Sequence, residues 1–140
     1  MSDLNKVFLV GRLGSDPIQR ETKNRTSVAH LSVATARKFK SESPDGAEVK
    51  REETQWHRVV VWGRSASYCK QYMKKGQTVL VEGMIRSHKF DGKDGASRIS
   101  FEVHADQVAI LSSPRKTVED SSLDLVADSF GQEQNFAETA

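Results

Sequence analysis

The chain holds a single cysteine, Cys69, in 140 residues. No disulfide can form within it, which suits a reducing compartment. Cys69 lies beside Tyr68 in an amphipathic segment and reads as a small buried filler. No Cys-His pairing marks it as a nucleophile. No apolar run approaches the roughly 18 residues that a membrane span needs. The first residues, Met1 to Lys6, lack the charge, apolar stretch and small-residue site of a signal peptide. Cytoplasm, with no membrane association, is therefore the expectation. His30, His88 and His104 have no metal-ligand spacing with one another or with Cys69. No nucleophile–base pair, P-loop or paired-carboxylate motif occurs. A nuclease would need a carboxylate cluster for metal ions, and the acidic residues are scattered. The expectation is a binding protein, not an enzyme, with no cofactor and no metal.

What is present is a charge asymmetry. The formal net charge is +2, yet residues 113–140 set Arg115 and Lys116 against six carboxylates, a net −4. Residues 1–112 then carry +6. A basic body with an acidic tail points to a polyanionic partner for the body. Hydrophobic content of 36% and a mean hydropathy of −0.58 allow one domain with a modest core. The division expected is a folded domain over 1–112 and a disordered acidic tail over 113–140. Within that tail Leu123, Val126 and Phe130 recur at near-helical spacing with Asp124 and Asp128 between them. Such a segment suits docking into a basic, apolar groove on a partner. The alternative is a tail that only competes with nucleic acid for the basic body.

The run from Thr54 to Arg64 carries most of the functional signal. It is rich in β-branched and aromatic residues and closes on Gly63, so it reads as a strand. Alternation places Trp56, Arg58, Val60 and Trp62 on one face and His57, Val59 and Val61 on the other. The second face suits a core. The first holds both tryptophans of the chain around an arginine. An aromatic beside a cation on a sheet face is a platform for a nucleic acid base, with the cation near the phosphate. For this strand alone, tryptophans packed in a core remain an equal reading.

The remaining elements place that strand third of five. Val7-Phe8-Leu9-Val10 opens the first strand. It is apolar on both faces, which demands cover on both, by a closed sheet or a neighbouring subunit. Asp16-Pro17 signals a turn. Val28 to Ala36 forms the second strand, with Ala29, Leu31 and Val33 on one face, and Ser41 to Gly46 forms a hairpin tip. Residues 65–75 change to helical period, with Tyr68, Cys69, Tyr72 and Met73 as the stripe, Ser65 as the cap and Gly76 as the terminal glycine. Val79, Val81 and Ile85 alternate along a fourth strand, where Gly83 permits a bend. Asp91 to Gly95 is a second tip. Ile99, Phe101 and Val103 alternate along a fifth strand, and Val108 to Leu111 ends the body. Three strands, a helix and two strands is the order of an all-β OB-fold, a five-stranded Greek-key barrel.

The quoted residues also carry a resemblance. Leu4 to Gly14 with Asp16-Pro17, then Trp56 to Val60 with Gly63-Arg64, then Lys75-Gly76 and Val81-Glu82-Gly83, lie in order across residues 4–111. In this the chain resembles the bacterial single-stranded DNA-binding protein (SSB) family. The resemblance implies an OB-fold homotetramer wrapped by single-stranded DNA during replication, recombination and repair, located at the bacterial nucleoid. By resemblance the base-stacking positions fall on Phe39, Trp56, Trp62 and Phe90. Phe39 sits between lysines in Lys38-Phe39-Lys40, and Phe90 follows Lys89, a setting that core packing does not explain. Phosphate contacts are expected among Arg12, Arg37, Lys38, Lys40, Arg58, Arg64, Lys74, Lys75, Arg86 and Lys89. Val7, Leu9 and His57 are expected at the oligomer contact, and the rival reading for His57 is a satisfied histidine in the barrel wall. The tail departs from the family, whose acidic tip ends in Pro-Phe and recruits replication and repair proteins. Here the chain ends in Asn135-Phe136-Ala137-Glu138-Thr139-Ala140. Nothing in the residues reads a 2′-hydroxyl. An RNA-binding or accessory OB-fold paralogue, or an OB-type protein-interaction subunit, are the alternatives.

Overall fold

A computed structural model of the chain describes residues 1–112. The expected acidic tail and its Leu123, Val126 and Phe130 segment lie outside the described residues. Seven elements follow in order: β1 (Val7–Leu13), β2 (Ile18–Glu21), β3 (Ser27–Glu42), β4 (Glu48–Trp62), α1 (Arg64–Tyr72), β5 (Thr78–Asp91) and β6 (Ser97–Ser112). The strands run β1-β5-β6-β4-β3-β2, and β1 also pairs with β3. That last pairing closes five strands into a barrel, with β2 appended outside the ring on β3. The all-β OB-fold expectation holds, helix position included. The four-residue strand β2 follows the Asp16-Pro17 turn and is too short to show a period.

Closure depends on β1 serving two neighbours. Val7 to Arg12 pair with β5, while Arg12 and Leu13 pair with Ala34 and Val33 of β3. Gly11 sits at this crossing. A Cβ there would stand 2.3 Å from the Ala34 carbonyl oxygen, so any side chain would pry β1 from β3. On the far side of the ring β4 meets β6 in parallel over Val59 to Val61. At Gly83 the β5–β6 register shifts by a residue, which is the expected bend, built as a bulge.

The core forms where inward alternation meets the helix. Leu13, Ala29, Leu31, Val33, Val59, Val61, Val79, Val81 and Val103 enter from the strands, Ala66 and Cys69 from α1, and Met73 from the residue that caps its end. The helix differs from expectation at both ends. Gly63 is its cap, at φ 68°, with no side-chain cap bond, because the tight exit from β4 already turns the chain there. It stops at Tyr72 because Met73 turns extended to enter the core. Gly76 instead sits in the following turn, where Gln77 N–H donates to the Lys74 carbonyl. Tyr68 and Tyr72, expected in the buried stripe, are exposed. The small residues Ala66 and Cys69 take the core positions under the barrel.

Strands β3 and β4, and likewise β5 and β6, run on beyond the barrel as two long hairpin arms. Pairing in the first continues unbroken from Val28↔Trp62 to Glu42↔Glu48. The second runs from Gly83↔Ala105 to Asp91↔Ser97. β3 was expected to end at Ala36. Its outer half is polar, carried by the backbone ladder and by cross-strand pairs such as Arg37–Glu53 at 3.2 Å and Lys40–Glu48 at 2.8 Å.

Cys69 is fully buried, and burial pushes its thiol up to about 11. The thiol is therefore protonated through the neutral range, and the thiolate is the reactive form. Native protein at mildly alkaline pH is expected to react with a thiol reagent orders of magnitude more slowly than urea-unfolded protein. Equal rates would show that the helix opens readily.

Candidate nucleic-acid interface

The alternation that buries Val59 and Val61 turns Trp56, Arg58 and Trp62 outward on β4, all three exposed. Trp56 is 61% exposed and Trp62 45%, which removes the core reading for both rings. Val60 shares their face but is buried, between His30 of β3 and His104 of β6 at paired positions. The Trp62 and His104 rings stand 6.3 Å apart. Between the tryptophans, Arg58 faces Ser32 across the ladder and lies 3.9 Å from the Glu102 carboxylate. Glu102 also meets His104 Nε2 at 3.3 Å. Sequence reasoning missed His30, Ser32, Glu102 and His104. Their strands alternate correctly, but only the barrel's register brings them beside the tryptophans.

Trp56 is held from below by Gly14. A Cβ at Gly14 would stand 2.3 Å from Cζ3 of the Trp56 ring, so the indole lies directly on bare backbone. The Gly14 amide donates to the Ser32 carbonyl at 2.9 Å, which fixes the platform under the ring. Beside it opens a cleft of about 560 Å³, lined among others by Ser15, Arg20, His30, Trp56, Arg58 and Glu102. The cleft offers an aromatic wall and two guanidinium groups, the elements that hold a base and its phosphate.

The other expected residues divide by face. In the second arm Arg86 and Phe90 pair with Glu102 and Arg98, so they continue the outward face of the tryptophans, with His88 6.3 Å from Phe90. Lys89 pairs with Ile99 and points to the opposite side. In the first arm Phe39 pairs with Arg51 and shares its face with Arg37, whose guanidinium lies 5.1 Å over the ring. Lys38 and Lys40 point to the other side, and Lys40 is tied to Glu48. Phe39 thus has the opposite strand parity to Trp56, and the structure does not bring it onto the same flat face. Arg12 pairs with Ala34, the partner of Trp56, and its guanidinium donates to the Gly76 carbonyl at 3.4 Å. Arg64, Lys74 and Lys75 are exposed at the two ends of α1.

Val7 and Leu9 are half-buried against the chain's own core. The apolar residues that β1 exposes are Phe8 and Val10. His57 is half-buried, and its Nε2 shares a 2.8 Å hydrogen bond with the Thr35 hydroxyl. Among the described residues no cluster of His, Cys, Asp and Glu has the arrangement of a metal site.

Residues 4–111 match the model of the single-strand binding protein family. The chain belongs to that family. It is 39% identical over 109 residues to single-stranded DNA-binding protein 1 of Chlorobaculum tepidum, covering 77% of this chain and 65% of that protein. It is 40% identical over 108 residues to the single-stranded DNA-binding protein of Neisseria meningitidis, covering 77% of this chain and 60% of the relative. The match therefore spans less than two thirds of these relatives' length. A solved Plasmodium falciparum SSB in complex with single-stranded DNA shares the fold, with a TM-score of 0.71 at 24% identity, covering 80% of this chain and 98% of that one.

Gly14→Ala is expected to lift the Trp56 ring while leaving the barrel folded, since the methyl meets a side chain and not a strand. Tryptophan emission should change in the free protein, with the melting temperature falling by only a few degrees. An unchanged spectrum would mean that Trp56 does not rest on Gly14 in solution.

Proposed function

We propose that this chain binds and protects single-stranded DNA with little regard to sequence, as a non-catalytic protein of replication, recombination and repair. The observation that carries the reading is the exposed Trp56–Arg58–Trp62 row on one face of β4. Two indoles flanking a guanidinium offer stacking surface to any base, because every base has a π-face, and the cation serves the backbone. Phe90 and Arg86 extend the row along the second arm. Phe39, under Arg37, offers a further platform on the first arm. The family and the names of the relatives support the same reading. Residues 1–112 would be the DNA-binding domain, with 113–140 an acidic tail. The expected location is the bacterial cytoplasm, at the nucleoid.

Oligo-dT is expected to quench the intrinsic fluorescence strongly, since both tryptophans lie on the proposed path. Trp56→Ala or Trp62→Ala should each cost about 1–3 kcal/mol of binding. Affinity should fall linearly with salt on a log–log plot, and Arg58→Ala should reduce that slope by about one unit. Salt-independent binding with unchanged emission would instead favour a protein-interaction subunit.

We further propose that the chain works as a homotetramer. On its β3 side β1 pairs only at Arg12 and Leu13 and packs closely at Gly11, which leaves the edge from Val7 to Val10 unpaired with β3 among the described residues. Phe8 and Val10 stand exposed on the same strand. An open edge with apolar side chains is a template for another copy. Val10→Lys is expected to shift sedimentation from the tetramer to smaller species. A wild-type monomer at micromolar concentration would exclude the assembly.

A further inference from the structure

Helix α1 carries a stripe that neither the core nor the β4 face uses. Ala66, Cys69 and Met73 point inward. Arg64, Tyr68 and Tyr72 follow one another at four-residue spacing, on neighbouring turns of one outer flank. The tyrosines are 37% and 53% exposed, with rings 5.2 Å apart and tilted by 44°. Two adjacent large rings with this much exposed surface are a patch of the kind that marks contact sites.

The charge around this stripe is one-signed. From Thr54 to Val81 the chain has no acidic residue, while Arg58, Arg64, Lys70, Lys74 and Lys75 fall in that stretch. Among the described residues none of the last four enters an ion pair. Asp16 reaches the segment, but it accepts from the Lys75 backbone amide at 2.8 Å. The arms are mixed: Arg37, Lys40 and Arg98 are each paired with a carboxylate, and the other arm cations lie among the acidic residues Glu42, Asp45, Glu48, Glu52, Glu53, Asp91, Asp94 and Glu102. The helix cations are therefore not spent on the fold, and the segment attracts a polyanion.

The stripe also follows directly on the β4 row. Trp62 ends β4, Gly63 makes the turn, and Arg64 is the first residue of α1. We propose that Arg64, Tyr68 and Tyr72 form a second stacking track, onto which a DNA single strand continues from Trp62, with Arg64 at one end and Lys74 and Lys75 at the other to meet its backbone, while Lys70 lies on the opposite flank of the helix. This rests on the single-stranded DNA reading above. Paired rings with loose cations on either side favour bases joined by phosphates over an acidic peptide, which needs the cations alone.

The test compares labelled oligo-dT of about 6 and about 30 nucleotides, bracketing the roughly 4–16 nucleotides that one OB-fold covers. Both rings are partly exposed, so the double variant Tyr68→Ala/Tyr72→Ala should stay folded, with a melting temperature lower by a few degrees. It is expected to bind the short oligonucleotide normally and the long one about 10- to 100-fold more weakly. Tyr68→Phe/Tyr72→Phe should bind both like the wild type, because stacking needs the ring and not the hydroxyl. If the alanine variant binds the long strand like the wild type, the track is overturned while the function reading stands. If wild-type protein binds neither length, the function reading itself falls. If the alanine variant loses only binding to poly-glutamate, the ridge docks acidic protein, and the track is likewise overturned.

Discussion

The burial of Val59 and Val61 fixes more of this molecule than any other contact. Both valines are essentially inaccessible, and β4 is held between β3 and β6. A one-residue slip of β4 would send both valines outward and drive Trp56, Arg58 and Trp62 into the barrel. The arginine alone would forbid that register, since an unpaired buried guanidinium costs several kcal/mol. Core packing and the proposed interface are thus two sides of one strand. The same register carries the first arm, because the β3–β4 ladder runs without a break from the barrel to the tip.

Charge is distributed according to how each region is held. The arms have no core, and some of their cations are paired, Arg37 and Lys40 across the ladder and Arg98 with Asp94 near the tip, where each exposed pair adds little stability but opposes like-charge repulsion. The proposed DNA face contains one carboxylate, Glu102, placed between Arg58 and His104. It partly neutralises the row, so a strand binding there must compete with a built-in anion. A weaker hold on each nucleotide suits a protein that must later release its strand. Among the described residues Arg64, Lys70, Lys74 and Lys75 enter no ion pair, so on the proposed path the helix segment would attract a strand more strongly.

The barrel was legible in the sequence because Ala29, Leu31, Val33, Val59 and Val61 alternate cleanly and the helix changes period between two strand pairs. The outward tryptophans followed from the same alternation. The arms were not legible to their full length. Residues 37–42 and 48–54 have no apolar alternation, and only pairing partners distant in sequence make them strands. Helix α1 misled for a related reason. Helical spacing groups Tyr68 and Tyr72 with Cys69 and Met73, but the space under the barrel admits only one edge of that stripe. On β1 a run apolar on both faces said that both were covered, without saying by what. The structure assigns Val7 and Leu9 to the chain's own core and leaves Phe8 and Val10 outside. Gly14 beneath Trp56 had no signal at all, since the contact joins residues 42 positions apart.

Arms without a core have a mechanical consequence. Their backbone bonds are exposed, and they lack the buried apolar contacts that resist opening, so they belong to the low-stability end of the structure. The barrel, closed by β1 and sealed by Met73 and Cys69, belongs to the other end. Phe39 and Phe90 therefore sit on compliant supports, while Trp56 and Trp62 sit on a rigid one. A strand of arbitrary sequence presents bases of different size and stacking strength. Under the proposed reading, the two barrel platforms would set its path and the two arm platforms would adjust to whatever base arrives. Opposite strand parity at Phe39 fits this division. The arm does not extend a flat face but holds its ring on another side, which would ask a strand stacked on it to turn as it leaves the barrel.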